Sequence, residues 1–343
     1  MSTSSQNRPA AYQRLAELVI GARVAVALRV VVERGIPDLL ADGPKNVDTL
    51  ASAVGLPATP LRRLMRGLTE VGVFTEVADG EFANTDVAGF MRKDVTPSLR
   101  EMILVLNDDA VLDGWRQLAG VVESGEPAFP KVNHTSFFQW LAADQTRSQN
   151  MGKFMGGIYG PEGPKIAAGF SFDRCKTLLD VGGGQGHILA EILKKHPGMR
   201  GGVFDLPKTA DQAREFLAGA GLADRTTVVA GDFFENVPSG YDAYMAKSVL
   251  HDWDDAKSVQ ILKNCRRAMG DGGRMLICEI VVQPGKSLGH PHRFIDLEMM
   301  VTLGGRERTA REFSALLMEA GFVPESVTLI PDSFFGVVEG KPV

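Results

Sequence analysis

The sequence predicts a two-part α/β chain, in which a helical, winged-helix domain precedes a mostly parallel α/β sheet. Three observations carry this. Apolar residues at helical spacing fill residues 12–72 and give way to a strand–turn–strand pattern. From residue 173 onward, apolar runs of strand length alternate with amphipathic stretches, and the first of those runs leads into the glycine loop LDVGGGQG. A chain of 343 residues suits more than one core. The expected organisation is a helical winged-helix domain over 1–104, a helical connector over 105–172 and a sheet domain over 173–343.

Taken in order, YQRLAELVIGARVAVALRVVVERGI has helical spacing and is punctuated by Gly35, Pro37 and Gly43. NVDTLASAVGLPATPLRRLMRGLTEVGVF reads as helix, turn, helix, with Asn46 or Asp48 as N-cap and Thr59-Pro60 opening the second helix. GVFTEVADGEFANT supplies two short strands around Asp79-Gly80. A winged helix of this kind suits DNA binding through Arg62, Arg63 and Arg66, or dimerisation. Charge over the first hundred residues is nearly balanced, whereas a DNA reader needs surplus cations. Residues 100–172 carry Met102, Met151, Met155, Phe137, Phe138 and Trp140, which suit a core or the grip on an aromatic ligand.

With a net charge of −5, the chain shows no electrostatic footprint for nucleic acid or an anionic membrane. No run reaches membrane-spanning length, and MSTSSQNRPAAYQRL lacks the apolar core of a signal peptide, so a cytoplasmic protein with a frayed N-terminal tail is expected. Cys175, Cys265 and Cys278 are too scattered for a disulfide framework or zinc site and read as reduced.

In the second half, KTLLDVGGGQGHILAEILKKHP is strand, glycine loop, helix. Gly182, Gly184 and Gly186 suit a sharp turn with a ligand against the backbone. The third glycine of a dinucleotide fingerprint is replaced by His187, which argues against a nicotinamide cofactor. GGVFDLP ends a second strand at Asp205, about twenty residues on, where an acid can hold both ribose hydroxyls. TTVVAGDFF ends a third near Asp232 and Phe233, an acid for an exocyclic amine beside a ring for a purine. YDAYMAKSVLHDW and GRMLICEI are the fourth and fifth strands, bringing Lys247 and Glu279 to the same rim, and ESVTLI with SFFGVVEG forms a late antiparallel hairpin. His251, between an apolar run and the acids Asp252, Asp254 and Asp255, is either a residue at a helix start or a base. The three acids read as helix-start residues favoured by the dipole. Thr309 is a candidate N-cap, with Glu312 and Glu319 on the surface. His187, His196, His290 and His292 lack a comparable context, and His134, in KVNHTSFF, lies in the connecting helices within reach of a substrate but is not counted as a site residue.

The combination LDVGGGQG, FDLP, GDFF, LHDWDD and GGRERT resembles the S-adenosylmethionine-dependent small-molecule O-methyltransferases, typified by plant caffeic acid and isoflavone O-methyltransferases and by bacterial antibiotic-tailoring relatives, over nearly the whole chain. The resemblance implies a Rossmann-like class I methyltransferase sheet behind a winged-helix dimerisation domain, hence a homodimer. It implies S-adenosyl-L-methionine as cofactor and S-adenosyl-L-homocysteine as product. Gly182 and Gly184 would line the cofactor, Asp205 hold its ribose, Asp232 and Phe233 its adenine, and Lys247 would also touch it. His251 would be the base, flanked by Glu279 and Glu307. Met155 with Met299 or Met300 would press on a flat acceptor, although the segment from Met299 to Gly304 is shorter than in the plant enzymes. No aspartate cluster suggests a magnesium site, so no metal is expected. The expected activity is O-methylation of a small aromatic or polyketide-like metabolite. The alternatives are a cofactor-binding homologue with N-methylating or hydroxylating chemistry, and a winged-helix regulator.

Overall fold

The computed structural model describes residues 8–285 and 292–343, so the tail over 1–7 and His290 lie outside the described residues. The chain divides into two compact units. One holds the residues up to Leu112 with Leu141–Gly157, the other Asp113–Trp140 with Ile158–Val343, so the segment 105–172 is shared between them.

In the first unit a helix over Arg8–Glu33 is followed by helices over Ile36–Leu39, Val47–Val54 and Ala58–Thr69. The Asn46 side chain caps the third of these by accepting the Asp48 N–H at 2.9 Å. Strand β1 (Lys45–Asn46) joins the hairpin of β2 (Phe74–Ala78) and β3 (Glu81–Asn84). A two-residue strand has no periodicity to read, which is why only the hairpin is legible in sequence. Val31, Ile36, Leu50, Met65, Phe74 and Phe82 form the buried core. Two of the three cations that a DNA-binding reading would use turn onto the wing: Arg66 pairs with Glu76 at 2.7 Å and Asp79 at 2.8 Å, and Arg62 lies 3.9 Å from Asp79, while Arg63 is exposed. The first helix leaves Tyr12, Leu15, Leu18 and Val19 largely exposed.

The second unit is built on β4 (Thr177–Val181), β5 (Arg200–Asp205), β6 (Thr226–Ala230), β7 (Ala243–Lys247), β8 (Arg274–Val282), the two-residue β9 (Arg308–Thr309), β10 (Phe322–Leu329) and β11 (Phe335–Pro342). The order is β10-β11-β8-β7-β4-β5-β6, with β4 to β8 parallel, β11 antiparallel to both neighbours, and β9 beside the end of β8. Covered on both faces, the central strands are continuous apolar runs, and Leu179, Val181, Phe204, Tyr244 and Ile277 pack with Leu262, Phe313 and Val338. The chain reverses direction across the sheet at β4, which pairs with β5 on one side and β7 on the other, and such a switch point opens a crevice at the strand ends. Thr309 caps the helix Ala310–Glu319 as expected, but Glu312 is engaged rather than idle: it closes the capping box and bonds Arg306 at 2.6 Å. The three cysteines are buried and free, and burial pushes the Cys265 thiol up to about 12. Among the described residues no helix is long and apolar enough to cross a membrane.

Candidate functional site

The glycine loop follows β4 at the switch point. Gly182 has φ +68°, and a Cβ there would come within 2.7 Å of Val249 and 3.4 Å of the Phe233 ring, so both the turn and the close packing exclude a side chain. Phe233 therefore lies against the loop, as a purine-stacking ring requires, and its position is fixed by the Asn264 amide, which donates to its carbonyl at 2.6 Å. Asp205, at the end of β5, accepts the Gly184 N–H at 2.9 Å on Oδ2 and the Leu206 N–H at 2.7 Å on Oδ1. The Thr209 side chain also bonds this carboxylate, so of its roughly four acceptor sites one remains for a ribose hydroxyl. A Cβ on Gly184 would meet nothing within 4 Å, so the space beside Asp205 is open. Asp232 accepts the Phe234 N–H at 2.8 Å, which fixes its carboxylate beside Phe233.

Beneath the loop, the buried Asp180 leaves Oδ1 without a partner, and burial raises its pKa to about 7. Burial lowers Lys247 to about 8, and its ammonium sits 4.6 Å over the Phe335 ring. A carboxylate with an acceptor site to spare, a ring and an orphaned buried acceptor around this loop fit a charged nucleoside cofactor.

His251 lies in a 3₁₀ turn, Leu250–Asp252, and is 4 % exposed, which excludes the reading as a surface residue at a helix start. Its Nδ1 is 2.8 Å from Glu307 Oε1. Glu279 has a different task from Glu307. It lies inside β8, three residues short of the end, where its Oε1 accepts the Val249 and Leu250 N–H groups, each at 2.9 Å. Glu279 thus holds the turn that carries His251, and Glu307 fixes the ring. Asp254 caps the helix Asp255–Ala268 as expected, but Asp252 does not behave as a helix-start acid: its Oδ1 lies 3.4 Å from His251 Nε2. Burial opposes charging the imidazole, yet Glu279, Asp252 and Glu307 together raise His251 to about 10. Burial likewise pushes Asp252 to about 6 and Glu279 to about 7.

One donor atom each from His251, Glu279 and Glu307 lies within 4.8 Å of the others, close enough to hold a cation. A metal would have to displace the Glu307 bond to Nδ1 and compete with the two backbone donors on Glu279.

The segment GGRERT does more than deliver Glu307. A Cβ on Gly305 would overlap the His251 carbonyl oxygen. The fully buried Arg308 donates to the Leu250 and Trp253 carbonyls, each at 2.8 Å, and to Asp255 at 2.7 Å. Gly305 and Arg308 were not singled out in the sequence, although both lie within the quoted motif. Met299 and Met300 lie on the helix His292–Thr302 of the same unit, with Met300 packed on Val121, Ala128 and Val301. Met155 lies on the helix Gln145–Tyr159, in the first unit. His134 ends the helix Phe129–Asn133 at φ 53°.

Residues 115–323 match the O-methyltransferase domain family and residues 16–94 the O-methyltransferase dimerisation domain. The chain is 37% identical over 329 residues to the phenazine O-methyltransferase PhzM of Lysobacter antibioticus, covering 96% of each. It is 34% identical to the 8-amino-8-demethylriboflavin N,N-dimethyltransferase of Streptomyces davaonensis, covering 93% of this chain and 92% of the relative. Among solved structures, the mitomycin 7-O-methyltransferase MmcR superposes with a TM-score of 0.92 at 34% identity, over 99% of this chain and all of that one. The O-methyltransferase NcsB1, solved with S-adenosyl-L-homocysteine and 1,4-dihydroxy-2-naphthoic acid, gives 0.84 at 33%, over 93% and 96%. The chain belongs to the O-methyltransferase family, as a methyltransferase of the secondary-metabolite type whose cofactor is S-adenosylmethionine.

Proposed function

We propose that this chain methylates a hydroxyl of a small aromatic or polyketide-like metabolite, with His251 as general base. The observation that carries the reading is the buried His251–Glu307 pair at 2.8 Å, which commits Nδ1 and makes Nε2, 3.4 Å from Asp252 Oδ1, the ring atom to take an acceptor proton. When bound, S-adenosylmethionine supplies an activated methyl carbon on a sulfonium and adds positive charge to an acid-rich site. Gly182, Gly184, Asp205, Asp232, Phe233 and Lys247 are the residues we assign to holding it. Because the carbon is already activated, the protein's main contribution is to place the acceptor oxygen in line. A phenol with a pKa near 10 is protonated at neutral pH, so Nε2, in the fraction of the enzyme whose imidazole is neutral, takes its proton as the new bond forms, typically worth about 10²–10⁴-fold. Glu307 then stabilises the imidazolium directly, with Glu279 and Asp252 adding their charge.

Replacement of His251 by Ala is expected to leave S-adenosylhomocysteine affinity unchanged in calorimetry and to cost about 10²–10⁴-fold in kcat. Unchanged turnover would remove His251 from the chemistry.

N-methylation is the second reading, favoured by the resemblance to the riboflavin-type N,N-dimethyltransferase. Carbon NMR of the product, with a ¹³C-methyl cofactor, separates the two, because methyl groups on oxygen and nitrogen resonate apart. The exposed apolar face of the first helix and the dimerisation-domain match support a homodimer.

A further inference from the structure

One half-buried acid of the second unit has no part in the chemistry above. Glu298, on the helix His292–Thr302, accepts the Trp115 indole N–H on Oε2 at 2.6 Å. Among the described residues no cation pairs with it, and burial raises its pKa to about 7. The indole answers one of its two oxygens, and the other, Oε1, is not among the buried polar atoms and so is open to an incoming donor.

The helix that bears Glu298 is keyed to the base. Asp296 Oδ1 accepts the Glu307 N–H at 2.8 Å, and the Met299 carbonyl accepts the N–H groups of Gly304 at 2.8 Å and of Gly305 at 3.3 Å. Gly305 is the residue pressed against the His251 carbonyl. On its other side the helix meets the segment Asp113–Trp140: the Val301 carbonyl accepts the Ala128 N–H at 2.9 Å, and Trp115, Leu118 and Met300 pack around Val121, Ala128 and Val301. That segment also carries Phe129, Phe137 and Phe138, and Phe138 stacks at 5.8 Å on Trp253, two residues beyond His251. Glu298 thus sits on a helix bonded to Glu307 and Gly305 and packed on the segment whose Phe138 ring stacks on Trp253.

We propose that Glu298 determines acceptor specificity: its Oε1 binds a hydrogen-bond-donating nitrogen, an arylamine or a protonated amine, carried by the aromatic acceptor. This rests on the methyltransferase reading and narrows its substrate class. Trp115 orients the carboxyl, and the oxygen left over selects for a donor and against an acceptor that carries its own carboxylate, since two acids facing each other repel.

The test uses the full-length protein and three matched probes, an aminophenol, a cresol and a hydroxybenzoate. Wild type, Glu298→Leu and Glu298→Gln are compared, the last keeping an acceptor for Trp115 should the leucine variant fold poorly. In methyl transfer, wild type is expected to show at least a tenfold lower KM for the aminophenol than for the hydroxybenzoate. Both variants should raise the aminophenol KM, the leucine variant at least tenfold, while the cresol KM stays within about twofold. Equal changes for all three probes, or no preference in wild type, would overturn the proposal. Equilibrium dialysis of the same probes against protein loaded with S-adenosylhomocysteine keeps the two readings apart. Amine-selective binding that the variants lose supports Glu298 even if no phenol is methylated, which would count against O-methylation alone. Absence of amine-selective binding overturns the proposal.

Discussion

At His251, the charges on Glu279, Asp252 and Glu307 decide when the imidazole sheds its second proton. A base works only when neutral, and burial alone would favour that form, but three acids hold the proton on and raise the pKa to about 10. Turnover in the cofactor-bound state should therefore climb as pH rises from neutral into the alkaline range. Glu307→Gln keeps an acceptor for Nδ1–H while removing one negative charge, so the imidazolium is less favoured and its pKa falls. The acidic limb of the kcat profile is expected to move to lower pH by about one to three units, the effect of an opposite charge at contact distance. A limb that stays in place would mean that another group titrates. Asp205 offers a separate test at the cofactor. Charge-assisted hydrogen bonds contribute about 1.5–3 kcal/mol each, so Asp205→Ala should weaken S-adenosylhomocysteine roughly 10- to 100-fold by calorimetry and leave NADH unbound, as in wild type.

The turn that bears His251 is a 3₁₀ element with its shape imposed from outside. Glu279 fixes its N–H groups, Arg308 fixes the Leu250 and Trp253 carbonyls, and Gly305 makes room for the His251 carbonyl. Gly305→Ala should displace that carbonyl, and a misplacement of about 1 Å at a reacting group can cost 10²-fold. A drop in kcat near that size, with S-adenosylhomocysteine affinity retained, is expected from steady-state kinetics and calorimetry. Wild-type kcat would show that the loop yields instead. This element also marks where the sequence stops being readable. The glycine loop and the strand ends at Asp205 and Asp232 follow from local periodicity, because each lies where an apolar run meets a turn. The bonds that shape the base do not: Arg308 reaches across 58 residues to Leu250, and Trp115 across 183 to Glu298. Asp252 was misread for a related reason, since an acid before a helix looks the same in sequence whether it faces the dipole or an imidazole.

At the scale of the whole molecule, the first helix is the feature a lone chain explains least. Its side chains Tyr12, Leu15, Leu18 and Val19 are each more than 60% exposed, and Ile20 and Val26 more than 40%. Apolar faces of this kind on one helix mark surfaces that another protein covers. The segment Arg8–Glu33 runs into the dimerisation-domain match, which begins at residue 16, so a second copy of the chain is the expected cover. The wing does not compete for this role as a DNA surface, because Arg66 is already paired with Glu76 and Asp79. In sedimentation velocity, wild type should run at about twice the chain mass of 37.0 kDa. The double variant Leu15→Glu, Leu18→Glu places two charges where apolar surface must be buried, which costs several kcal/mol per copy. It should shift the protein to a single chain mass at micromolar concentration, with the second unit still binding S-adenosylhomocysteine. A monomeric wild type would leave the apolar face without its expected partner, and a dimeric double variant would place the interface elsewhere in the first unit.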